Sequence, residues 1–412
     1  MTAAAMRMRH AGRRVTRRRL VAVFVAAGVW SVSFVGLVPA ASAQDVRSQQ
    51  WYLNAMQAEK MWKVGTGEGI TVAVIDSGVG ETASLQGKLL PGQDVSGKAG
   101  GANDDVSGHG TTMAELIAGT GEGGLQGLAP GVTIFPVRTA TGQTEAESNA
   151  GRSTLDKAIR TAADSRAQIL NISLGGEYSA ADERAVKYAA SKGKLIFAAA
   201  GNDAEGENKA DFPALLTEVV GVGAVDKKGT IAKFSSHGKV VDIAAPGSDI
   251  PTYCDKALDR YCTGDGGTSA ATALTSASAA LIWSKHPEWT ANQVLNVLID
   301  TAGEKTPSTY LGWGIVKPRL NLLENKGDPG APDHNPLMPA GADASASPAP
   351  DAPATAEDAK ADAKAKAADR TDKTAAESED DGNPTLWVAL AAALVLGAGG
   401  GAYALIRRRP TA

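Results

Sequence analysis

The chain has 412 residues, with 41 Lys+Arg against 45 Asp+Glu and a net charge of −4. Its length and 43% apolar content allow one large or two ordinary domains with a sizeable core, and exclude a wholly disordered chain. The lack of a basic excess argues against nucleic-acid binding, and two cysteines exclude both a disulfide-rich mini-fold and a zinc site built from four cysteines.

The charges are segregated. Residues 1–19 hold seven arginines and no acid, residues 20–38 carry no charge, and Ala41-Ser42-Ala43 follows. A basic region, an apolar run and a small-x-small site in that order predict a secretory signal peptide over 1–43. The apolar run is long for a signal, which leaves an uncleaved signal anchor as the competing reading. Thr16-Arg17-Arg18-Arg19-Leu20 resembles a twin-arginine signal, against an ordinary basic n-region.

Residues 44–326 alternate strand and helix patterns. Residues 70–76 (ITVAVID) form a continuous apolar, β-branched run, as in a strand buried on both faces. Similar runs cover 132–137, 168–174, 194–200, 219–225 and 240–244. Helical patterns cover 111–118, 154–164, 180–192, 268–285 and 291–301. This alternation predicts one α/β domain, with a mostly parallel sheet covered by helices on both faces.

Residues 327–384 contain eight prolines, no aromatic residue and a net charge of −8, a composition that cannot offset its chain entropy by burial. They are expected to form a disordered linker with a reach of roughly 40 Å. Residues 386–406 then run uncharged for 21 positions, close to the ~20 a helix needs to cross a bilayer. A transmembrane helix is expected over 385–406. Arg407-Arg408-Arg409 makes 407–412 the cytoplasmic tail and puts the larger domain outside, as a single-pass protein of the cell membrane.

Reactive residues fall where an open parallel sheet places its sites, at strand ends and helix starts. Asp76 ends the first strand in Asp76-Ser77-Gly78. His109 opens a helix in Gly108-His109-Gly110-Thr111, and Ser269 opens another in Gly267-Thr268-Ser269-Ala270. Singly, these read as a turn, a loop and a helix N-cap. In the order Asp, His, Ser, with gaps of 33 and 160 residues, they are the residue types that a nucleophilic triad requires, and the order resembles that of the subtilisin triad. A serine hydroxyl needs a base as it attacks, and that base needs an orienting acid.

The segments VAVIDSGV, GHGTTMAELIAG, AAAGND and GGTSAATA together resemble the subtilisin-like serine proteases over about residues 48–325. The resemblance implies a three-layer α/β domain and an endopeptidase with Asp76, His109 and Ser269 as catalytic residues. It implies Asn202 as the side-chain donor of the oxyanion hole. It also implies that extended peptide substrate binds between Ser173-Leu174-Gly175-Gly176 and Ala199-Ala200-Gly201, with Asp203 either a negative rim or a solvated turn acid. Ala270 and Ala273 depart from the Met and Pro that the family commonly carries, a difference that bears on packing under the serine. No cofactor is required by such chemistry. Relatives often bind calcium, but no Asp/Asn cluster here identifies ligands, and no metal site is assigned. Cys254 and Cys262 are expected to pair, because the domain faces an oxidising compartment.

The opening of the domain, QQWYLNAMQAEKMWKVGTGEGITVAVIDSGV, is similar to the mycosins, membrane-anchored subtilases of type VII secretion systems. That resemblance implies association with a secretion membrane complex and processing of its exported polypeptides. It leaves a mainly structural scaffold, or a general cell-surface subtilase, as alternatives. The extension before the first strand is expected to stay attached and wrap the domain.

Overall fold

The computed structural model describes residues 46–139, 154–262, 264 and 266–338. All belong to a unit spanning residues 1–345; residues 346–412 form a second unit outside the described residues. The predicted leader, the membrane span and most of the linker therefore lie outside them. Among the described residues no helix is long and apolar enough to cross a membrane.

The apolar runs become a seven-stranded sheet. In chain order the strands are β1 (Thr71–Asp76), β2 (Gln93–Asp94), β3 (Thr133–Arg138), β4 (Ile169–Ile172), β5 (Leu195–Ala199), β6 (Val220–Val225) and β7 (Ile243–Pro246). Their spatial order is β2-β3-β1-β4-β5-β6-β7, and every pair is parallel. The helices are α1 (Trp51–Ala55), α2 (Ala58–Met61), α3 (His109–Ala118), α4 (Leu155–Asp164), α5 (Ala180–Ser191), α6 (Gly267–Lys285), α7 (Ala291–Ala302) and α8 (Pro318–Glu324).

β1 shows why its central residues, Val72 to Ile75, are all apolar. Val72 and Val74 join the core on the face covered by α3, α6 and α7, while Ala73 and Ile75 join the core under α4 and α5. A strand buried on both faces has no polar side to present. The chain order reverses direction at β1, whose neighbours are β3 and β4, so the carboxyl end of β1 opens onto the crevice where such sheets carry their sites.

α6 is buried along almost its whole length, from Gly267 to Trp283. It is built from Ala, Ser and Thr, which allow close approach to the sheet. Its hydroxyls are satisfied locally: Thr272, Thr275 and Ser278 donate to the carbonyls of Thr268, Ala271 and Leu274, each at 2.7–2.8 Å. Ala270 and Ala273 are fully buried within this helix.

The segment before β1 is part of the core. Tyr52, Leu53 and Met61 are buried, Trp62 Nε1 donates to Leu128 O (2.8 Å), and Gln50 exchanges hydrogen bonds with the backbone of Gln126 (2.8 and 2.9 Å).

Three local outcomes differ from the sequence reading. The strand expected over 240–244 is Ile243–Pro246, because Val241 N–H closes a turn onto Gly238 O (3.3 Å). A hairpin, β8 (Thr252–Tyr253) with β9 (Tyr261–Cys262), and a second, β10 (Gly303–Ser308) with β11 (Gly312–Gly314), lie in stretches too short or too polar to show periodicity. Residues 327–338, expected as the start of the linker, lie along α7. Asn296 and Gln293 donate to Pro329 O and Gly330 O, Thr290 and Asn292 both donate to Pro332 O, and Leu337 packs on the core. The polar face of α7 supplies the partners that composition alone does not reveal.

The Cys254–Cys262 disulfide is formed and bridges the β8–β9 hairpin. Fully buried Glu115 of α3 anchors this hairpin. Its carboxylate accepts from Tyr253 OH (3.0 Å), Tyr261 OH (2.6 Å), Thr82 Oγ1 (2.6 Å) and Leu125 N–H (3.1 Å). Burial raises the Glu115 pKa against the lowering effect of these bonds. The two tyrosine rings stack with centroids 4.3 Å apart. Glu115→Leu would remove the acceptor of four donors, two of them in fully buried bonds (Tyr253 OH and Leu125 N–H), so a loss of about 3 kcal/mol is expected in urea unfolding, beyond the effect of any exposed Glu→Leu change.

Candidate active site

Asp76, His109 and Ser269 come from three elements and line one cavity of about 260 Å³, together with Ser107, Ser173, Leu174, Gly175, Ala199, Asn202, Asp211 and Thr268. Asp76 ends β1 and is buried to 1% exposure, whereas the His109 side chain at the start of α3 is 37% exposed. His109 Nδ1 lies 2.8 Å from Asp76 Oδ1 and 3.0 Å from Oδ2. Asp76 Oδ1 also accepts from Ser77 N–H (2.7 Å), which helps fix the plane of the carboxylate. With a carboxylate at Nδ1, the proton of a neutral imidazole sits there and leaves Nε2 as the basic nitrogen. Burial pushes the His109 pKa down, but the charge of Asp76, its hydrogen bond and the charge of Asp105 outweigh it, so the net shift is upward.

Close packing at α3 depends on Gly110. A Cβ there would collide with the Gly78 carbonyl oxygen and lie 2.9 Å from Asp76 Cβ. The start of α3 is held by Asp105, a residue that reads from sequence as loop surface. Its Oδ1 accepts from the N–H groups of Ser107 (3.0 Å) and Gly108 (2.9 Å) and from Ser77 Oγ (2.7 Å); its Oδ2 accepts from Thr111 N–H (2.9 Å) and Oγ1 (2.6 Å). An anion satisfying the free N–H groups of a helix start is the signal that could have found it, since Asp105 stands just ahead of the helical pattern.

Ser269 lies in the first turn of α6, 9% exposed. The bond from Ala270 N–H to Gly266 O (3.1 Å) is made by the residue after it, so the Ser269 N–H belongs to the turn whose donors the helix does not consume. Its hydroxyl donates to Ser173 O (3.3 Å), and Ser173 Oγ donates back to Ser269 O (3.0 Å). Behind this pair, Asn171 of β4 links Ser173 Oγ (3.0 Å) to Ser276 Oγ (3.0 Å), tying the strand to the helix around the serine. Asn171 was not legible as a site residue; within a strand run it reads only as an interruption.

Asn202 has an assigned orientation. Thr268 N–H is a donor, so the amide atom 2.9 Å from it must be the oxygen Oδ1. Thr268 Oγ1 donates to the same oxygen (3.0 Å). The donor that Asn202 has left is Nδ2, which lies 3.0 Å from where a Cβ on Gly267, at the start of the same helix, would sit.

The expected substrate-binding residues divide. Ser173, Leu174, Gly175 and Ala199 line the cavity. Ala200 and Gly201 are buried behind it, Ala200 N–H bonded to Val222 O (3.1 Å) and Gly201 N–H to Thr268 Oγ1 (3.3 Å). Gly176 exchanges two backbone hydrogen bonds with Phe212 (3.1 and 3.0 Å). Asp203 is exposed and closes its own loop, accepting from Lys209 N–H (3.1 Å), so the solvated-turn alternative holds for it.

A serine that shares a cavity with an imidazole held at Nδ1 by a buried carboxylate, and with the amide of Asn202, is equipped for acyl transfer. The family model described as the subtilase family matches residues 67–314. The alkaline elastase YaB of a Bacillus species is 32% identical over 67% of this chain and 71% of its own. Among solved structures, the MycP3 protease from a type VII (ESX-3) secretion system superposes with a TM-score of 0.58 at 30% identity, over 66% of this chain and 88% of its own. MycP1 from Mycobacterium smegmatis gives 0.59 at 26% identity, over 68% and 86%. The chain belongs to the subtilase family and is a subtilisin-like serine endopeptidase with a three-layer α/β fold.

Proposed function

We infer that Asp76, His109 and Ser269 work as the catalytic triad of a peptidase held at the outer face of the cell membrane. The observation that carries this reading is the Asp76–His109 pair facing the same cavity as Ser269. On substrate binding the Ser269 hydroxyl leaves Ser173 O and gives its proton to His109 Nε2 as Oγ bonds to the scissile carbonyl carbon. The oxyanion takes hydrogen bonds from Asn202 Nδ2 and Ser269 N–H. The tetrahedral intermediate then expels the amine, which receives its proton from His109, leaving an acyl-enzyme. A water deprotonated by His109 hydrolyses the ester and returns Ser269. Extended peptide lies along Ser173–Gly175 by main-chain hydrogen bonding.

The likeness to MycP3 and MycP1, together with the leader and the charge-free run near the C-terminus, supports association with a type VII secretion membrane complex and processing of its exported polypeptides. The test compares Ser269→Ala with a full deletion in the source cells, scoring both export and the masses of exported proteins. Ser269→Ala is expected to leave at least one exported protein unprocessed. Export blocked by the deletion alone, with every exported mass unchanged in Ser269→Ala, would assign the chain to scaffolding instead.

A further inference from the structure

We propose that Asp105 is a positioning residue of the hydrolysis: it holds the Ser77 hydroxyl proton and so keeps that proton off Asp76, which leaves the Asp76 carboxylate to His109. The proposal rests on the peptidase reading above and adds a residue to its machinery.

Ser77 stands between the two acids. Its Oγ lies 2.7 Å from Asp105 Oδ1 and 3.1 Å from Asp76 Oδ1. A hydroxyl has one proton to give. The other neighbours cannot take it, because Gly110 N–H (3.1 Å) and Ser107 Oγ (2.9 Å) both donate to the same oxygen. The shorter contact takes the proton, and that contact is Asp105. The chain of donors begins at His109, whose N–H donates to Ser107 Oγ (3.2 Å). Asp105 is pressed onto the end of β1, where a Cβ on Gly78 would lie 2.9 Å from Asp105 Cα.

Everything around the Asp105 carboxylate donates. Besides Ser77, Oδ1 faces Ser107 N–H and Gly108 N–H, and Oδ2 faces Thr111 N–H and Oγ1. The main-chain donors among them cannot reverse their role. Without Asp105, the acceptor left to the Ser77 hydroxyl is Asp76 Oδ1. A hydroxyl donating to that carboxylate stabilises its charge locally and weakens its hold on the imidazolium formed during acyl transfer.

The other charged groups near His109 are committed or turned elsewhere. Glu115, further along α3, accepts from Tyr253, Tyr261 and Thr82. Asp255, on the hairpin whose main chain packs against Gly108, pairs with Arg260 at 3.5 Å. Asp104 accepts from Gly101 N–H (2.7 Å), Asp211 lines the cavity from the Gly175 side, and α6 carries no charged side chain before Lys285. Against burial, which lowers the His109 pKa, Asp76 and then Asp105 raise it.

The test is a double-mutant cycle read by kinetics. Asp105→Asn keeps an oxygen for Ser77, because the Oδ1 position faces three donors and the Oδ2 position two, whereas Asp105→Ala removes it. On a fluorogenic peptide cut by wild type, Asp105→Asn is expected to lose about threefold in kcat and Asp105→Ala about thirtyfold, with KM within about twofold of wild type in both. The acid limb of kcat/KM is expected at lower pH in both, and lowest in Asp105→Ala. In a Ser77→Ala background there is no hydroxyl to redirect, and the two substitutions are expected to agree in kcat within about twofold. Urea midpoints check that each variant is folded, with Asp105→Ser as the second truncation. A loss in Asp105→Ala no larger than in Asp105→Asn, or a gap between them that persists in the Ser77→Ala background, would overturn the proposal while leaving the peptidase reading intact. Equal hydrolysis by wild type and Ser269→Ala would overturn that reading and this proposal with it.

Discussion

Ser269→Ala is expected to lower peptide hydrolysis by on the order of 10⁶-fold, the loss that nucleophile removal causes in a subtilisin. The fold should hardly notice. The hydroxyl makes one long bond, 3.3 Å to Ser173 O, while the reciprocal bond from Ser173 Oγ uses the Ser269 main chain and survives the change. The stability cost is therefore about 1 kcal/mol or less. The two quantities separate cleanly: steady-state kinetics with a fluorogenic peptide should collapse, and the urea midpoint should move little. What activity remains would come from Asn202 Nδ2 and the Ser269 N–H acting on a water-driven reaction. Hydrolysis undiminished in the variant would remove Ser269 from the mechanism.

The strands of the sheet and the three residues that share the cavity with Asn202 were legible because each rests on a local signal, whereas the strand order β2-β3-β1-β4-β5-β6-β7 was not. A two-sided strand is largely apolar along its length, and β5 and β6, the centre of β1, and β4 apart from Asn171 declare themselves that way. Asp76, His109 and Ser269 each stand in a short glycine-rich segment that is bland when read alone and gains its meaning from the order of the three. The supporting residues were not legible, because their roles exist only across long separations. Asp105 reads as surface until Ser77, 28 residues earlier, donates to it. Glu115 lies in a helical run and shows no special character until Tyr253 and Tyr261 arrive from a hairpin 138 and 146 residues later. Asp211 becomes a pocket residue only through the antiparallel bridge between Gly176 and Phe212. The start of the expected linker shows the same limit: composition reports what residues 327–338 cannot do alone, not that α7 and its N-cap offer them five polar side chains, Thr290, Asn292, Gln293, Asn296 and Asp300.

Asp76→Asn tests the other half of the mechanism, and its effect should be nearly as large with almost no change in shape. Asp76 Oδ1 accepts from Ser77 N–H at 2.7 Å, a main-chain donor that cannot reverse its role. An asparagine would therefore keep its oxygen on Ser77 and turn its NH₂ toward His109 Nδ1. His109 Nδ1 then meets an amide donor at the former Oδ2 position, 3.0 Å away, beside the retained oxygen at 2.8 Å; wherever it accepts from that amide, the imidazole proton moves to Nε2 and no lone pair faces Ser269. The expected loss is on the order of 10⁴ in turnover, or about 5 kcal/mol of transition-state stabilisation. The pH dependence distinguishes this from simple damage. In the wild type, hydrolysis falls as pH drops through the His109 pKa, because an imidazolium accepts no proton, and Asp76 and Asp105 hold that pKa above the ordinary histidine value. Removing the Asp76 charge takes away the larger of the two carboxylate effects, so the acid limb of kcat/KM should move to lower pH as the plateau falls. The same shift has a sign in stability. A raised pKa stabilises the fold below the unfolded histidine value of about 6.5 and loses that contribution as pH rises through the folded one. Asp76→Asn should accordingly destabilise the protein more at about pH 6 than at about pH 9 in urea unfolding. An acid limb that stays in place would mean that another group, not the His109–Asp76 pair, sets the pH dependence of cleavage.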